Sequence, residues 1–171
     1  MTNVGLFVDG SNMFYAQKSN GWKIDYKKLY SYCQQSGRIA VAKYFVGFPY
    51  YIDTKSIGTY RKFRSVLINI GYTVRDKEIK VRKAYYWDIE IDGTPLDDFM
   101  RKKNKIRHKG EISITRDIKR DYKGNLDIEM AISMITESHH FEKCFLLSGD
   151  SDFIPVVRYL RQDNKYVICI A

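Results

Sequence analysis

The groups in this chain best suited to chemistry are carboxylates that stand just past hydrophobic runs. Val4-Gly5-Leu6-Phe7-Val8 leads into Asp9-Gly10-Ser11-Asn12, and Phe145-Leu146-Leu147 leads into Ser148-Gly149-Asp150-Ser151-Asp152. A third acid, Asp127, follows Lys123-Gly124-Asn125-Leu126, and Glu129 lies two residues on. Each acid alone has a plain structural role, because Asp at a turn or helix start accepts backbone hydrogens and complements the helix dipole. Their joint placement suggests more. Open α/β sheets gather ligands at the carboxyl ends of their strands, where Asp9 and Asp150 would share one edge and the helix carrying Asp127 could lean across it. Two carboxylates about 4 Å apart repel by roughly 4 kcal/mol at an effective dielectric near 20, so a cluster needs a proton or a cation. Magnesium takes hard oxygen ligands, keeps several waters and often contacts only one or two carboxylates plus a substrate phosphate. One or two such ions would serve phosphodiester hydrolysis by activating water and neutralising charge.

The elements that must position these acids follow from hydrophobic period and punctuation. Asn3 to Val8 reads as a buried strand followed directly by a turn. Asp25 caps a helix running through Gln35, with Gly37 as its stop. Ile39 to Val46 reads as a second strand, and Asp53 to Ile70 as a helix with Ile57, Tyr60, Leu67 and Ile70 inward. Tyr72 to Arg75 is a third strand. This βαβαβ alternation predicts a mostly parallel sheet with helices on both faces. A basic, β-rich insertion at about residues 76–122 interrupts it, with strand-like stretches between Glu78 and Ile91 and again from Glu111 to Thr115. The alternation resumes with a helix from Leu126 to Glu137, a strand from Cys144 to Leu147, a helix from Ser151 to Gln162 and a strand from Tyr166 to Ile170. With no repeat or linker, residues 1–171 read as one domain carrying that insertion.

Composition bounds the partners. At 171 residues with 44% hydrophobic and 29% charged side chains, the chain fits one globular core and gives little support to disordered or coiled-coil readings. No apolar run approaches a membrane span and no secretory leader is evident, so a cytoplasmic protein without membrane contact is expected. Cys33, Cys144 and Cys169 are odd in number and set among apolar neighbours, which fits reduced core thiols. The formal net charge is +9 and the sequence pI about 9.4, so the surface field attracts polyanions. Ten basic residues against three acids between Arg101 and Lys123 concentrate that charge. Lys102, Lys103, Lys105, Arg107 and Lys123 are the candidate phosphate contacts there. Tyr85, Tyr86 and Trp87 could stack bases, although cross-strand packing is the commoner fate of such a run. His139 and His140 close a helix, where positive charge is favourable, and carry no metal expectation.

Three blocks taken together carry a family likeness: Val8-Asp9-Gly10-Ser11-Asn12, Lys123-Gly124 followed by Asp127, and Leu147-Ser148-Gly149-Asp150-Ser151-Asp152-Phe153 with Pro155. In this order they resemble NYN domains of the LabA-like group, relatives of the PIN ribonucleases, over most of the chain. The resemblance implies a PIN-like three-layer α/β/α sandwich. It also implies a Mg2+- or Mn2+-dependent ribonuclease site carried by Asp9, Asp127, Asp150 and Asp152, with Asn12 and Ser148 as hydrogen-bonding neighbours. The implied substrate is RNA, single-stranded in particular, with DNA left open as well as a homo-oligomeric or protein partner. Two departures stand out. Family members often show Lys-Gly-Val-Asp and a further Asp six residues after the first, whereas here Asn125 and Leu126 precede Asp127, and Ser133 holds the later position. Either Glu129 compensates, although i+2 on a helix faces elsewhere, or the site holds one metal weakly.

Two other classes compete. A noncatalytic RNA-binding or regulatory module would keep the fold without turnover. A phosphomonoesterase of the haloacid dehalogenase type also uses a strand-end Asp, but it needs a second acid two residues on, where this chain has Ser11.

Overall fold

A computed structural model describes residues 1–48, 54–78, 80–91, 94–95, 112–123 and 126–171, with side chains for 1–48, 57–78 and 126–171. The chain divides into two compact units, Met1–Ile79 with Gly124–Ala171, and Lys80–Lys123.

The first unit is built on β1 (Asn3–Asp9), whose apolar residues Val4, Leu6, Phe7 and Val8 are all fully buried. A run apolar on both faces suits a central strand of a parallel sheet. Its neighbours are β2 (Arg38–Phe48) on one side and β7 (Lys143–Leu147) on the other. β3 (Thr73–Glu78) extends the sheet beyond β2, and β8 (Tyr166–Ile170) extends it beyond β7. The order is β3-β2-β1-β7-β8, with every pairing parallel. Strand order reverses between β1 and β7, and the crevice at such a switch point is where open α/β sheets bind ligands.

Two buried clusters mark the two faces. One joins Leu6, Val8, Met13, Tyr26, Cys33, Tyr44, Leu67 and Tyr72, which brings α1 (Gly10–Asn20), α2 (Tyr26–Gln34) and α3 (Thr54–Ile70) to one side of the sheet. The other joins Phe7, Phe45, Leu126, Met130, Met134, Cys144, Leu146, Val156 and Leu160, which brings α4 (Asp127–Thr136) and α5 (Ile154–Gln162) to the opposite side. The result is the expected three-layer α/β/α sandwich.

Local chemistry explains most boundaries. Asp25 caps α2 by accepting the Lys27 and Lys28 N–H groups, each at 3.0 Å. On α3 the expected inward residues Tyr60 and Leu67 are buried, and Ile70 packs partly against the core. Where the sequence reads as a turn after Asp9, the structure has a full helix, α1. Cys33 and Cys144 are buried as expected, but Cys169 is exposed; it lies on β8, an edge strand, so its apolar neighbours in sequence do not enclose it.

The second unit is antiparallel. β4 (Lys80–Ile91) pairs with β6 (Ile112–Lys123) along its full length, from Lys80 opposite Lys123 to Ile91 opposite Ile112. The short β5 (Thr94–Pro95) adds to the far end of β4. The strand expected at Glu111 to Thr115 therefore runs eight residues further, to Lys123. Tyr85, Tyr86 and Trp87 lie on β4, opposite Ile118, Asp117 and Arg116. Lys102, Lys103, Lys105 and Arg107 lie outside the described residues.

Candidate active site

Asp9 is the last residue of the central strand and is 8% exposed. The backbone leaves the sheet there and enters α1, so the carboxylate becomes the cap of that helix: Oδ1 accepts the Asn12 N–H at 3.0 Å. Its other oxygen, Oδ2, accepts the Ser148 hydroxyl at 3.0 Å. Ser148 stands just past β7, whose register places Leu147 beside Val8, so the two strand ends arrive level with each other. The Ser148 hydroxyl also accepts the Asp150 N–H at 3.1 Å. Asn12 closes the circuit from the other side, its Oδ1 accepting the Gly149 N–H at 2.9 Å. Asp9, Asn12, Ser148 and the Gly149-Asp150 backbone thus form one hydrogen-bonded unit across the switch point.

Gly10 is required by this geometry. A Cβ there would lie 2.5 Å from the Tyr44 ring and 2.7 Å from the Phe45 carbonyl, so the chain turns from β1 into α1 against the β2 backbone with no room for a side chain. Tyr44 packs edge-on against Tyr26, 5.2 Å between ring centroids. Burial, with the charges of Tyr26 and Asp9 among lesser causes, pushes the Tyr44 phenol well above its usual range. It is therefore neutral beside the carboxylate at any working pH.

Asp150 caps the 3-10 turn Ser151–Phe153, its Oδ1 accepting the Asp152 N–H at 2.9 Å. Asp152 is exposed on that turn. Asp127 opens α4, but the capping position itself is Leu126, which makes no side-chain cap bond. Leu126 belongs to the buried cluster with Phe7, Phe45 and Phe153, so it seats the start of α4 on residues next to β1's end and inside the 3-10 turn. Among the described residues, no three Asp, Glu, His or Cys side chains form a group that could hold a metal ion. The donor chemistry nevertheless suits a hard cation. An ionised carboxylate has about four acceptor positions, and the Asp9 bonds described above take two. Magnesium asks for only one or two carboxylates while retaining its waters.

The position of the missing acid has a different occupant and a different network. Ser133 is buried, accepts from Lys43 Nζ at 2.9 Å and donates to Glu137 Oε1 at 2.7 Å. Lys43 is also ion-paired with Glu137 directly. Glu129, the residue considered as compensation, is bonded instead to Lys77, so it faces β3. Burial alone would raise the Glu137 carboxyl, but hydrogen bonds from Lys43 and Ser133 and the charges of Lys43 and Arg75 outweigh it and hold the pKa below the usual glutamate range. Sequence reading missed this trio because Lys43 and Ser133 are 90 residues apart and no motif links them. A depressed pKa means that Glu137 contributes stability above the unfolded-state value near 4.3 and loses it as pH falls through the folded value. Glu137→Gln should therefore lower unfolding stability by about 1 to 2 kcal/mol at pH 7, discounted for its partial exposure. The gap between variant and wild type should narrow progressively as pH falls below about 4. Urea unfolding at pH 7 and pH 3 checks this; a gap of equal size at both would mean that the ion pair is not its source.

Comparisons with known proteins bear on the chain as a whole. The NYN domain model matches residues 3–103 and 94–171. The chain belongs to the NYN domain family. NYN domains are part of the PIN-like nuclease superfamily. The chain is also similar to the low amplitude and bright protein LabA of Synechococcus elongatus, at 27% identity over 99% of this chain and 74% of that protein. Among solved structures it resembles a protein of unknown function from Vibrio parahaemolyticus, with a TM-score of 0.63 and 19% identity over 98% of this chain and 80% of that one; at that identity the likeness concerns the fold. No helix among the described residues of this NYN domain is long and apolar enough to cross a membrane.

Proposed function

We propose that this NYN domain is a Mg2+- or Mn2+-dependent ribonuclease that hydrolyses phosphodiester bonds of RNA, single-stranded RNA in particular. The observation that carries the reading is the hydrogen-bonded union of Asp9 and the Ser148-Gly149-Asp150 turn at the switch point of the sheet. Asp9, Asp127, Asp150 and Asp152 are the residues that would hold the cation. When bound, it would supply positive charge to the phosphodiester and acidify a water.

The chain's own residues supply orientation and proton transfer. Asp9 is fixed from two sides, by the Asn12 N–H and the Ser148 hydroxyl, so its remaining lone pairs point in set directions without reorganisation. Asn12 holds the Gly149 peptide and thereby the turn that carries Asp150. Water attacks phosphorus, the bond to the leaving sugar oxygen breaks, a carboxylate at this edge accepts the attacking water's proton, and the leaving oxygen takes up a proton from solvent water to depart as an alcohol. Lys102, Lys103, Lys105, Arg107 and Lys123 would draw the RNA backbone through long-range charge.

The expected result is cleavage of single-stranded RNA that requires added Mg2+ or Mn2+ and stops on chelation. It is measured on labelled oligonucleotides resolved by length. Cleavage at full rate in excess chelator would overturn the proposal. Ser133, engaged with Lys43 and Glu137 where relatives often place an acid, favours one rival, a module of the same fold that retains RNA without turnover. Salt-sensitive retention with no cleavage under any divalent cation would select it.

A further inference from the structure

Helix α1 begins at the candidate active site and carries an aromatic surface that nothing in the described fold buries. Phe14 and Tyr15 are 60% and 66% exposed, whereas the helix buries only Gly10 and Met13; Trp22, two residues past its end, is 54% exposed. The rings of Phe14 and Tyr15 meet edge to face, 5.5 Å between centroids, so they form one patch. Lys18 lies four residues after Phe14 and three after Tyr15, which puts it beside both on the helix surface. Four lysines, Lys18, Lys23, Lys27 and Lys28, fall between Gly10 and Lys28 against a single acid, Asp25. That acid is committed to capping α2.

We infer that Phe14 and Tyr15 form a stacking platform for the bases of single-stranded RNA entering the site at Asp9, with Lys18 and Lys23 taking the adjacent phosphates and Trp22 extending the platform. The inference rests on the proposed nuclease reading and names how its substrate is held. Three observations support it. Phe14 lies five residues beyond Asp9, a rise of about 7.5 Å along the helix axis. Side chains on a helix lean toward its N-terminus, so both rings lie over the first turn of α1, the turn that Asp9 caps. The third is charge. Exposed aromatics also suit protein interfaces, but such interfaces are depleted in lysine, whereas aromatic rings interleaved with cations are what unpaired bases and their phosphates require.

The test is binding in an Asp9→Asn background, so that turnover does not consume the probe. Fluorescence anisotropy with a labelled oligouridylate of roughly a dozen nucleotides is compared with an abasic strand of equal length. Phe14→Ala with Tyr15→Ala should weaken oligouridylate binding by at least about 5-fold, the low end for one lost stacked base. Abasic binding should be unchanged, and Tyr15→Phe should restore most of its share. Both rings are exposed, so the thermal unfolding midpoint should not move. Oligouridylate binding within 2-fold of the parent would overturn the inference. So would sedimentation showing that the aromatic face instead holds two copies of the chain together and that the double alanine variant separates them. Separately, a wild-type protein that cleaves no RNA under any divalent cation would remove the nuclease reading while leaving the binding result interpretable. Intact Asp9-dependent cleavage with no effect of the aromatic variants would remove only the platform.

Discussion

Asp9→Asn is expected to reduce divalent-dependent RNA cleavage by about 100-fold or more while leaving the protein folded. Asparagine keeps an oxygen that accepts the Asn12 N–H, so the α1 cap survives. Its amide nitrogen replaces Oδ2 and donates where the carboxylate accepted. The Ser148 hydroxyl can answer by rotating, because a hydroxyl has one donor and two acceptor sites and Ser148 uses one acceptor on the Asp150 N–H. The change therefore removes a negative charge while the side chain at position 9 stays bonded to both Asn12 and Ser148. Cleavage assays paired with circular dichroism check the result. Unchanged cleavage by a well-folded Asp9→Asn protein would remove Asp9 from the chemistry and the proposed site with it.

The largest effect on stability is expected two residues upstream. Phe7 is fully buried, and its ring meets Phe141 edge-on at 5.7 Å. Phe7→Ala should cost about 3 to 5 kcal/mol through lost transfer energy and the cavity left behind. That is a large share of a typical margin of 5 to 15 kcal/mol. Denaturant unfolding gives the number directly, and a loss under about 1 kcal/mol would mean that the strand does not pack as described. Because β1 carries Asp9 at its end, softening this strand should also blur the site, so cleavage should fall more steeply with temperature than in wild type.

These residues also show where the sequence was legible. Asp9 and Asp150 were visible because Asp9 directly follows an apolar run and Asp150 stands three residues past another, and a parallel strand buried on both faces writes such a run directly into the sequence. The α2 start was visible in Asp25, and the inward face of α3 in the spacing of Tyr60 and Leu67. Helix α1 was not visible. It opens with Gly-Ser-Asn, which reads as a turn, and it buries one large side chain, Met13, so no apolar period announces it. The same poverty of buried contacts is what leaves Phe14 and Tyr15 on the surface. Asn12 and Ser148 were named only through family likeness, because a hydrogen bond such as that from Ser148 to Asp9 spans 139 positions and leaves no local trace. The Lys43, Ser133 and Glu137 trio was hidden for the same reason. The exposure of Cys169 was hidden too, since strand order, not composition, decides which strand is an edge.

The β4 and β6 hairpin closes at its base with Lys80 opposite Lys123, a separation of about 5 Å between α-carbons in any antiparallel pair. The two ends of this antiparallel pair therefore lie side by side. Residues added or removed in register along both strands would leave that end spacing as it is, whatever charge their side chains carry.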